Sequence, residues 1–201
     1  FFERWGSTGF AWLEETMDYI GSETITIGDA KRGDIGHTAA QYAHSLFDHF
    51  GFDAVTLNPY MGRDAIDPFI QNPEKGVFVL CRTSNISGGD LQNLKGNGTR
   101  LFETVAEFCT GLNKFNNVGL VVGATVSEEI EIVRSHAPGL PMLIPGVGAQ
   151  GGDLEASLTA GNTNGAALIN VSRGISFAGD QSREAIHDAA KDYVEKMRQI
   201  S

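Results

Sequence analysis

The fold is decided by a short apolar run that ends in a cluster of charges, Thr24-Ile25-Thr26-Ile27-Gly28-Asp29-Ala30-Lys31-Arg32-Gly33-Asp34-Ile35. Its β-branched residues favour a strand, which we predict over residues 24–27 and ending at Gly28-Asp29. Because side chains alternate along a strand, Asp29 and Lys31 are expected to point the same way, with Asp34 further on. Two carboxylates and an ammonium would then share a site partly shielded from water, where charge interactions are strong. A solvated turn is the competing interpretation.

Five further apolar runs follow along the chain, and stretches with helical spacing separate them. The predicted strands are residues 54–57, 76–81, 118–122, 141–144 and 166–169, and the predicted helices are residues 8–20, 40–50, 102–112, 128–136 and 186–197. Short continuous apolar runs are typical of parallel strands covered on both faces. Alternating strands and helices therefore predict an α/β fold with a parallel sheet.

Two parallel architectures suit this pattern, a (β/α)8 TIM barrel and an open doubly wound sheet. The polar residues collect just after the strands, where both architectures carry their chemistry. We favour the barrel, which has eight strands and typically spans about 250 residues. The chain shows six predicted strands and starts at Phe1 without an initiator Met. We therefore expect a single barrel domain over residues 1–201, incomplete at its N-terminus, with one or two strands missing.

Composition narrows the classes of partner and compartment. The chain has 201 residues with 41% hydrophobic and 20% charged residues, as in ordinary globular domains. Its net charge of −10 argues against a nucleic-acid partner, which would favour a basic surface. No apolar run is long enough to span a membrane. The two cysteines, Cys81 and Cys109, lack the spacing of a disulfide framework, so a reducing cytoplasm is expected.

A second candidate site lies near the C-terminus. The run Gly146-Val147-Gly148-Ala149-Gln150-Gly151-Gly152 follows a predicted strand, and Arg173 follows the last one. Glycines let backbone N–H groups approach an anion, and an arginine can bind phosphate oxygens with two hydrogen bonds. This pattern predicts a phosphate site, although two tight turns and a surface arginine would look the same. The glycines also fit a dinucleotide-binding fingerprint by letter, but no acidic residue follows at the required distance.

Five segments, in order along the chain, resemble those of orotidine 5'-monophosphate decarboxylases, a family of TIM barrels. The resemblance is to the bacterial-type subgroup with Asn-Pro-Tyr-Met-Gly and Thr-Ser-Asn motifs, and it covers essentially the whole chain. The segments are Phe1-Phe2-Glu3-Arg4-Trp5-Gly6, the Asp-x-Lys-x-x-Asp-Ile signature from Asp29 to Ile35, Asn58-Pro59-Tyr60-Met61-Gly62-Arg63-Asp64, Thr83-Ser84-Asn85, and Pro145 to Asp153 followed by Ser172-Arg173-Gly174.

The resemblance implies a decarboxylase that needs no cofactor and converts orotidine 5'-monophosphate to UMP and carbon dioxide. It makes Lys31 the group that stabilises and protonates the C6 carbanion, with Asp29 beside the departing carboxylate. It makes Asp34 a residue that reaches across a homodimer interface into the neighbouring site. Ile35 and Thr38 would line the base and the ribose or phosphate region.

The remaining binding residues implied by the resemblance lie in the second half of the chain. Ser84 would bond the pyrimidine edge and Gln150 would contact both phosphate and base. The full set of these residues is Ser84, Pro145, Gln150, Ser172, Arg173 and Gly174.

The sequence departs from the family pattern at its start. The family has a second lysine and a ribose-binding aspartate that would both precede Phe1, and we expect them in chain upstream of it. A related sugar-phosphate decarboxylase or aldolase, which shares the charged signature but uses magnesium, is one alternative. A non-catalytic nucleotide-binding barrel is another. The five histidines have no ligand spacing, so no metal site is predicted.

Overall fold

The computed structural model of the chain describes residues 1–125, 127–148 and 151–200. It divides into two compact units, Phe1–Val77 and Phe78–Ser201. Strand β3 begins in the first unit and continues into the second. Among the described residues, no helix combines the length and the apolar character that crossing a membrane requires.

The first unit contains a helix before its first strand, as the sequence predicts. Its elements are a 3-10 turn (Phe2–Trp5), α1 (Gly6–Ile20), β1 (Ile27–Arg32), α2 (Gly36–Ala43) continuing as a π-helical segment (His44–His49), β2 (Ala54–Leu57), a 3-10 turn (Arg63–Ala65), α3 (Asp67–Ile70) and the start of β3 (Gly76–Arg82). Strands β1 and β2 pair in parallel. All four residues of β2 are buried, so the continuous apolar run indeed marks a covered strand.

The second unit repeats the strand–helix alternation. Its elements after β3 are a 3-10 turn (Ile86–Gly88), α4 (Gly89–Gln92), β4 (Lys95–Gly96), β5 (Thr99–Arg100), α5 (Leu101–Leu112), β6 (Val118–Val122), α6 (Ser127–His136), β7 (Met142–Pro145), α7 (Leu154–Asn162), β8 (Ala167–Asn170), α8 (Arg173–Ser176) and α9 (Arg183–Ile200). The sheet order there is β3-β6-β7-β8, and β4 and β5 form a separate antiparallel ribbon.

The predicted parallel pairing is confirmed for β1 with β2, β6 with β7 and β7 with β8. In the first unit β1 lies beside β2, and in the second unit the sheet order β3-β6-β7-β8 is also the order of these strands along the chain. An open doubly wound sheet reverses its order at a switch point, whereas a barrel winds in one direction. The order within each unit therefore favours the barrel over the alternative.

The core of the second unit forms where α5 covers the sheet. Its buried residues recur at helical spacing and are Phe102, Ala106, Cys109 and Leu112. The neighbouring strand β6 is buried along its whole length. Cys81 and Cys109 are buried free thiols. Burial raises the pKa of both thiols, that of Cys109 to about 12, so both stay protonated and pack as apolar residues.

Candidate active site

The charged cluster after the first predicted strand forms an ion pair. The Lys31 ammonium lies 2.5 Å from Asp29 Oδ1 and 2.6 Å from Oδ2. The predicted proximity of these two side chains is therefore confirmed. Their expected shielding from water is not, since the side chains are 49% and 60% exposed. Both lie at the carboxyl end of β1, beyond the buried Gly28 that packs against Phe52.

Strand β1 does not end at Gly28-Asp29 as predicted but continues to Arg32 through an irregular stretch. From the pair Gly28 and Val55 to the pair Arg32 and Leu57, β1 advances four residues while β2 advances two. Lys31 lies in this bulge with a φ of 47°, in the left-handed region that side-chain-bearing residues rarely occupy. Bulges of this kind redirect side chains near functional sites. Here the bulge directs the Lys31 ammonium back onto the Asp29 carboxylate.

Thr56 is the residue of β2 opposite this bulge, and the sequence analysis did not identify it. Its hydroxyl donates to Asp29 Oδ1 at 2.8 Å and accepts from the Lys31 backbone N–H at 2.9 Å. The residue is completely buried. The one signal in the sequence is that Thr56 is the polar residue of an otherwise apolar strand.

Asp34 is near this cluster in sequence but has a different described partner. Its Oδ1 accepts from the Ile35 backbone N–H at 2.8 Å, just before α2 begins. Ile35 is 56% exposed, and Thr38 lies exposed in the first turn of α2. The structure therefore presents Asp34, Ile35 and Thr38 along the segment that leaves the strand. It pairs Lys31 with Asp29 and gives no described contact between Lys31 and Asp34.

In the second unit, backbone hydrogen bonds join the described glycines of the glycine-rich segment after β7, on either side of residues 149–150, which lie outside the described residues. Gly151 N–H donates to Gly148 O at 2.8 Å, and Gly152 N–H donates to Gly146 O at 3.2 Å. Gly146, Gly148 and Gly151 all have positive φ values, so glycine is required by conformation there. The segment ends at Asp153, which caps the start of α7 by accepting from Ala156 N–H at 3.1 Å.

The segment after β8 carries the other predicted phosphate residues. Ser172 Oγ donates to Asn170 Oδ1 at 3.1 Å, and Arg173 begins the short helix α8 with an exposed side chain. A Cβ on Gly174 would lie 2.8 Å from the Tyr193 hydroxyl, and one on Gly148 would lie 3.0 Å from the same atom. The Tyr193 hydroxyl of α9 is therefore a common neighbour of both predicted phosphate segments.

Ser84 follows β3 in a segment held by a buried arginine. Arg82 Nε lies 2.7 Å from Glu129 Oε2, and Arg82 Nη1 donates to Thr83 O at 2.7 Å. Ser84 itself packs on Gly123, where an added Cβ would lie 2.7 Å from the Ser84 backbone N. Sequence reasoning identified Ser84 but missed Arg82, because an arginine at the end of a strand usually lies exposed.

Two more residues were predicted to bind the substrate, Pro145 and Gln150. Gln150 lies outside the described residues, while Pro145 ends β7 and its carbonyl accepts from Ala124 N–H at 2.9 Å. Within residues 1–125, 127–148 and 151–200 there is no group of three or more His, Cys, Asp or Glu side chains arranged for a metal ion.

Comparison with known proteins identifies the family. The profile of the orotidine 5'-phosphate decarboxylase / HUMPS family matches residues 1–188. The orotidine 5'-phosphate decarboxylase of Natronomonas pharaonis is 55% identical over 87% of this chain, which spans 65% of that protein. The enzyme of the same name from Dehalococcoides mccartyi is 47% identical over 98% of this chain, which spans 75% of that protein.

A solved structure agrees with these relatives. The OMP decarboxylase of Leishmania donovani matches 99% of this chain and 77% of its own with a TM-score of 0.90 and 44% identity. The predicted (β/α)8 TIM-barrel fold class and the predicted family are thus both confirmed. The chain belongs to the orotidine 5'-phosphate decarboxylase / HUMPS family.

Proposed function

We propose that this protein is an orotidine 5'-phosphate decarboxylase, which converts orotidine 5'-monophosphate to UMP and carbon dioxide in pyrimidine biosynthesis. The observation that carries the proposal is the contact of the Lys31 ammonium with both Asp29 carboxylate oxygens at the carboxyl end of β1. In parallel α/β enzymes, reacting groups lie at this end of the strands. The relatives from Natronomonas pharaonis and Dehalococcoides mccartyi are both named orotidine 5'-phosphate decarboxylase, which supports the same activity.

The reaction breaks the bond between C6 of the pyrimidine and its carboxyl carbon. Carbon dioxide leaves, and the bonding electron pair stays on C6 as a carbanion. The Lys31 ammonium stabilises that charge and then gives its proton to C6, which completes UMP. Asp29 lies beside the departing carboxylate, so two like charges raise the free energy of the bound substrate until carbon dioxide has left. Asp29 also holds the Lys31 ammonium in place through both carboxylate oxygens.

The phosphate of the substrate would bind in the second unit. Arg173 provides a guanidinium, the glycine-rich segment after β7 shares the Tyr193 hydroxyl with Gly174 as a neighbour, and barrel phosphate sites commonly follow strands seven and eight. Replacing Arg173 with alanine is expected to weaken nucleotide binding by roughly 2–4 kcal/mol with little change in kcat. The control is Arg183→Ala in the first turn of α9. An unchanged KM for Arg173→Ala would remove this residue from the phosphate site.

The principal alternative is a magnesium-dependent sugar-phosphate decarboxylase or aldolase, whose family shares the charged signature. The decisive experiment measures carbon dioxide release from orotidine 5'-monophosphate by the purified gene product with chelator present. Turnover at undiminished rate supports the proposal. Activity on a ribulose phosphate that appears with magnesium and disappears with chelator would contradict the proposal and support the magnesium-dependent alternative. Binding of UMP or 6-azaUMP without any carbon dioxide release would instead indicate a non-catalytic nucleotide-binding protein.

The protein would act as a homodimer in which Asp34 of one chain completes the site of the other. It would need no cofactor and bind neither nucleic acid nor membrane. A cytoplasmic location is supported by the two buried free thiols, which suit a reducing compartment. That residues 1–201 form a single barrel domain stays a prediction.

A further inference from the structure

We infer that Thr56 is a positioning residue for the Asp29–Lys31 pair, which it holds through both its hydroxyl proton and its oxygen lone pair. The inference rests on the proposed function and goes beyond it, because Thr56 lies outside every motif that carries the family resemblance. Its hydroxyl is the one described group that touches both residues, Asp29 through the side chain and Lys31 through the backbone.

The geometry explains why a hydroxyl is needed at this position. The bulge carries the Lys31 N–H out of the regular ladder, since β1 advances four residues there against two of β2. Thr56 Oγ1 accepts that N–H at 2.9 Å and so replaces a backbone carbonyl. This part-buried bond favours the left-handed conformation of Lys31, because an N–H that loses its partner where water has little access is unfavourable.

The donor side of the same hydroxyl acts on Asp29. Thr56 donates to Asp29 Oδ1 at 2.8 Å, which fixes the rotamer of a carboxylate that is otherwise 60% exposed. An exposed ion pair alone holds its side chains weakly, because solvent competes for both partners. The completely buried Thr56 is itself immobilised by the core, so it passes that rigidity to the pair.

Thr26 offers a matched control in the same unit. Its hydroxyl also donates to an aspartate, Asp53 Oδ2 at 2.9 Å, and accepts from a backbone amide, Asp53 N–H at 3.3 Å. It is also buried, at 7% exposure, but it precedes β1 and touches neither Asp29 nor Lys31 in any described contact. Replacing either threonine with valine keeps the shape and removes the hydroxyl.

The test compares the kinetics of Thr56→Val, Thr56→Ser and Thr26→Val on orotidine 5'-monophosphate. Thr56→Val should lower kcat about 10- to 100-fold, the usual loss for a group that orients an active-site residue, with KM changed less than about threefold. Thr56→Ser keeps the hydroxyl and should stay within about threefold of wild type, as should Thr26→Val. Equal kcat values for Thr56→Val and Thr26→Val would overturn the inference.

Amide hydrogen exchange of Lys31 tests the same contact without turnover. Exchange at Lys31 should accelerate at least about tenfold in Thr56→Val and stay unchanged in Thr26→Val, because the protecting acceptor is lost in one variant alone. Unchanged exchange in Thr56→Val would overturn the inference. If Thr56→Val does not fold, Thr56→Cys replaces it, and its weak thiol donor should still lower kcat below that of Thr56→Ser. Equal kcat for these two variants would also overturn it.

The two measurements separate failure of the inference from failure of the proposed function. A wild-type protein that leaves orotidine 5'-monophosphate unchanged contradicts the function, and the exchange of Lys31 then still decides whether Thr56 holds the pair. A wild-type protein that is active, together with Thr56→Val at full kcat, contradicts the role of Thr56 and leaves the function standing.

Discussion

Lys31 combines a charged side chain with a backbone conformation that most residues avoid. A non-glycine residue at a φ of 47° costs about 1–2 kcal/mol. Its ion pair with Asp29 is about half exposed, and such pairs stabilise by roughly 0.2–1 kcal/mol. The pair alone therefore does not offset the strain. The rest of the stabilisation must come from the neighbouring strand. The contacts of Thr56 therefore matter for the geometry of this site. Strain that persists in this way is typical of functional positions.

Replacing Lys31 with alanine tests its proposed role directly. We expect kcat to fall more than about 100-fold, because the carbanion loses both its stabilising charge and its proton donor. Nucleotide binding should survive, since the proposed phosphate residues are untouched. The measurements are carbon dioxide release and UMP binding by calorimetry. The control is Lys191→Ala, which removes an exposed lysine of α9. Activity of Lys31→Ala above a hundredth of wild type would contradict the proton-donor role.

The sequence predicted that Asp29 and Lys31 lie close together from the alternation of side chains along a strand, although the structure brings them together through the bulge. The sequence was not sufficient to identify Thr56. Threonine is an ordinary strand former, so a single polar residue within Ala54–Leu57 does not indicate a role at the site. Its partners lie 25 and 27 residues away, so the contact depends on the pairing of β1 with β2 and on the bulge. Neither feature is encoded in a local pattern.

At the scale of elements, glycines show where the fold tolerates a side chain and where it does not. A Cβ on Gly152 would lie 2.6 Å from Ala124 Cβ and 2.7 Å from Gly146 O, both of them parts of the core or backbone. Gly111, in the last turn of α5, has nothing within 4 Å of the same position. The turn after β7 thus depends on the absence of a side chain, whereas α5 does not.

Alanine at these two glycines should have opposite effects on stability. Gly152→Ala forces atoms apart in a packed turn and should destabilise the protein by about 1–3 kcal/mol. Gly111→Ala adds a better helix former in open space and should stabilise it by about 0.5–1 kcal/mol. Urea unfolding of both variants beside wild type measures the difference. A Gly152→Ala protein as stable as wild type would mean that the turn can accommodate a methyl group.

The stability that Glu103 contributes at the start of α5 depends on pH. Its carboxylate accepts from the Arg100 backbone N–H at 2.9 Å, and this bond, assisted by the Arg100 side chain, lowers the pKa of Glu103. A lowered folded-state pKa means that the stabilisation is complete above the ordinary glutamate value of about 4.3. It is lost as pH falls through the folded-state pKa.

The variant Glu103→Gln removes the charge and keeps the shape. Wild type should be the more stable protein at pH 7, and the difference should shrink when both are unfolded in urea at an acidic pH low enough for the carboxyl to bind a proton. A difference that is equal at both pH values would show that charge on Glu103 does not contribute.

Element boundaries were predicted well where burial is continuous and poorly where tertiary contacts override local preference. Strands β2 and β6 match the predicted residues because their apolar runs are unbroken. Strand β1 was predicted to end at Gly28-Asp29, since charged residues disfavour strands. In the structure, pairing with β2 extends it to Arg32, whose carbonyl accepts from Asn58 N–H. The ribbon of β4 and β5 was missed, although Asn97-Gly98 is a strong hairpin signal.

At the scale of the whole molecule, the order of the five motifs along the chain is more specific for the family than any one motif. Each motif alone suits many loops, but their order along the chain predicted the family that the comparisons then confirmed. Such patterns do not show whether two chains share an active site. Asp34 has its described hydrogen bond with its own neighbour, Ile35 N–H, so its proposed role in a second chain needs a test that detects sharing between chains.

Mixing two inactive variants provides that test. If Lys31 and Asp34 of one site come from different chains, Lys31→Ala and Asp34→Ala homodimers each lack one essential group in every site. A mixed dimer concentrates both changes in one site and leaves the other native. Random exchange of equal amounts should then restore about a quarter of wild-type activity, because half of the dimers are mixed and half of their sites are intact.

The same mixture distinguishes the alternative in which each chain builds its own site. In that case every site carries one substitution, and mixing restores nothing. Activity is measured after the two variants are unfolded together and refolded, with each variant refolded alone as the control. Recovery should also fall as the protein is diluted below the dimer dissociation constant, since a shared site exists only while two chains are in contact. A mixture that stays as inactive as its components would remove Asp34 from the neighbouring site.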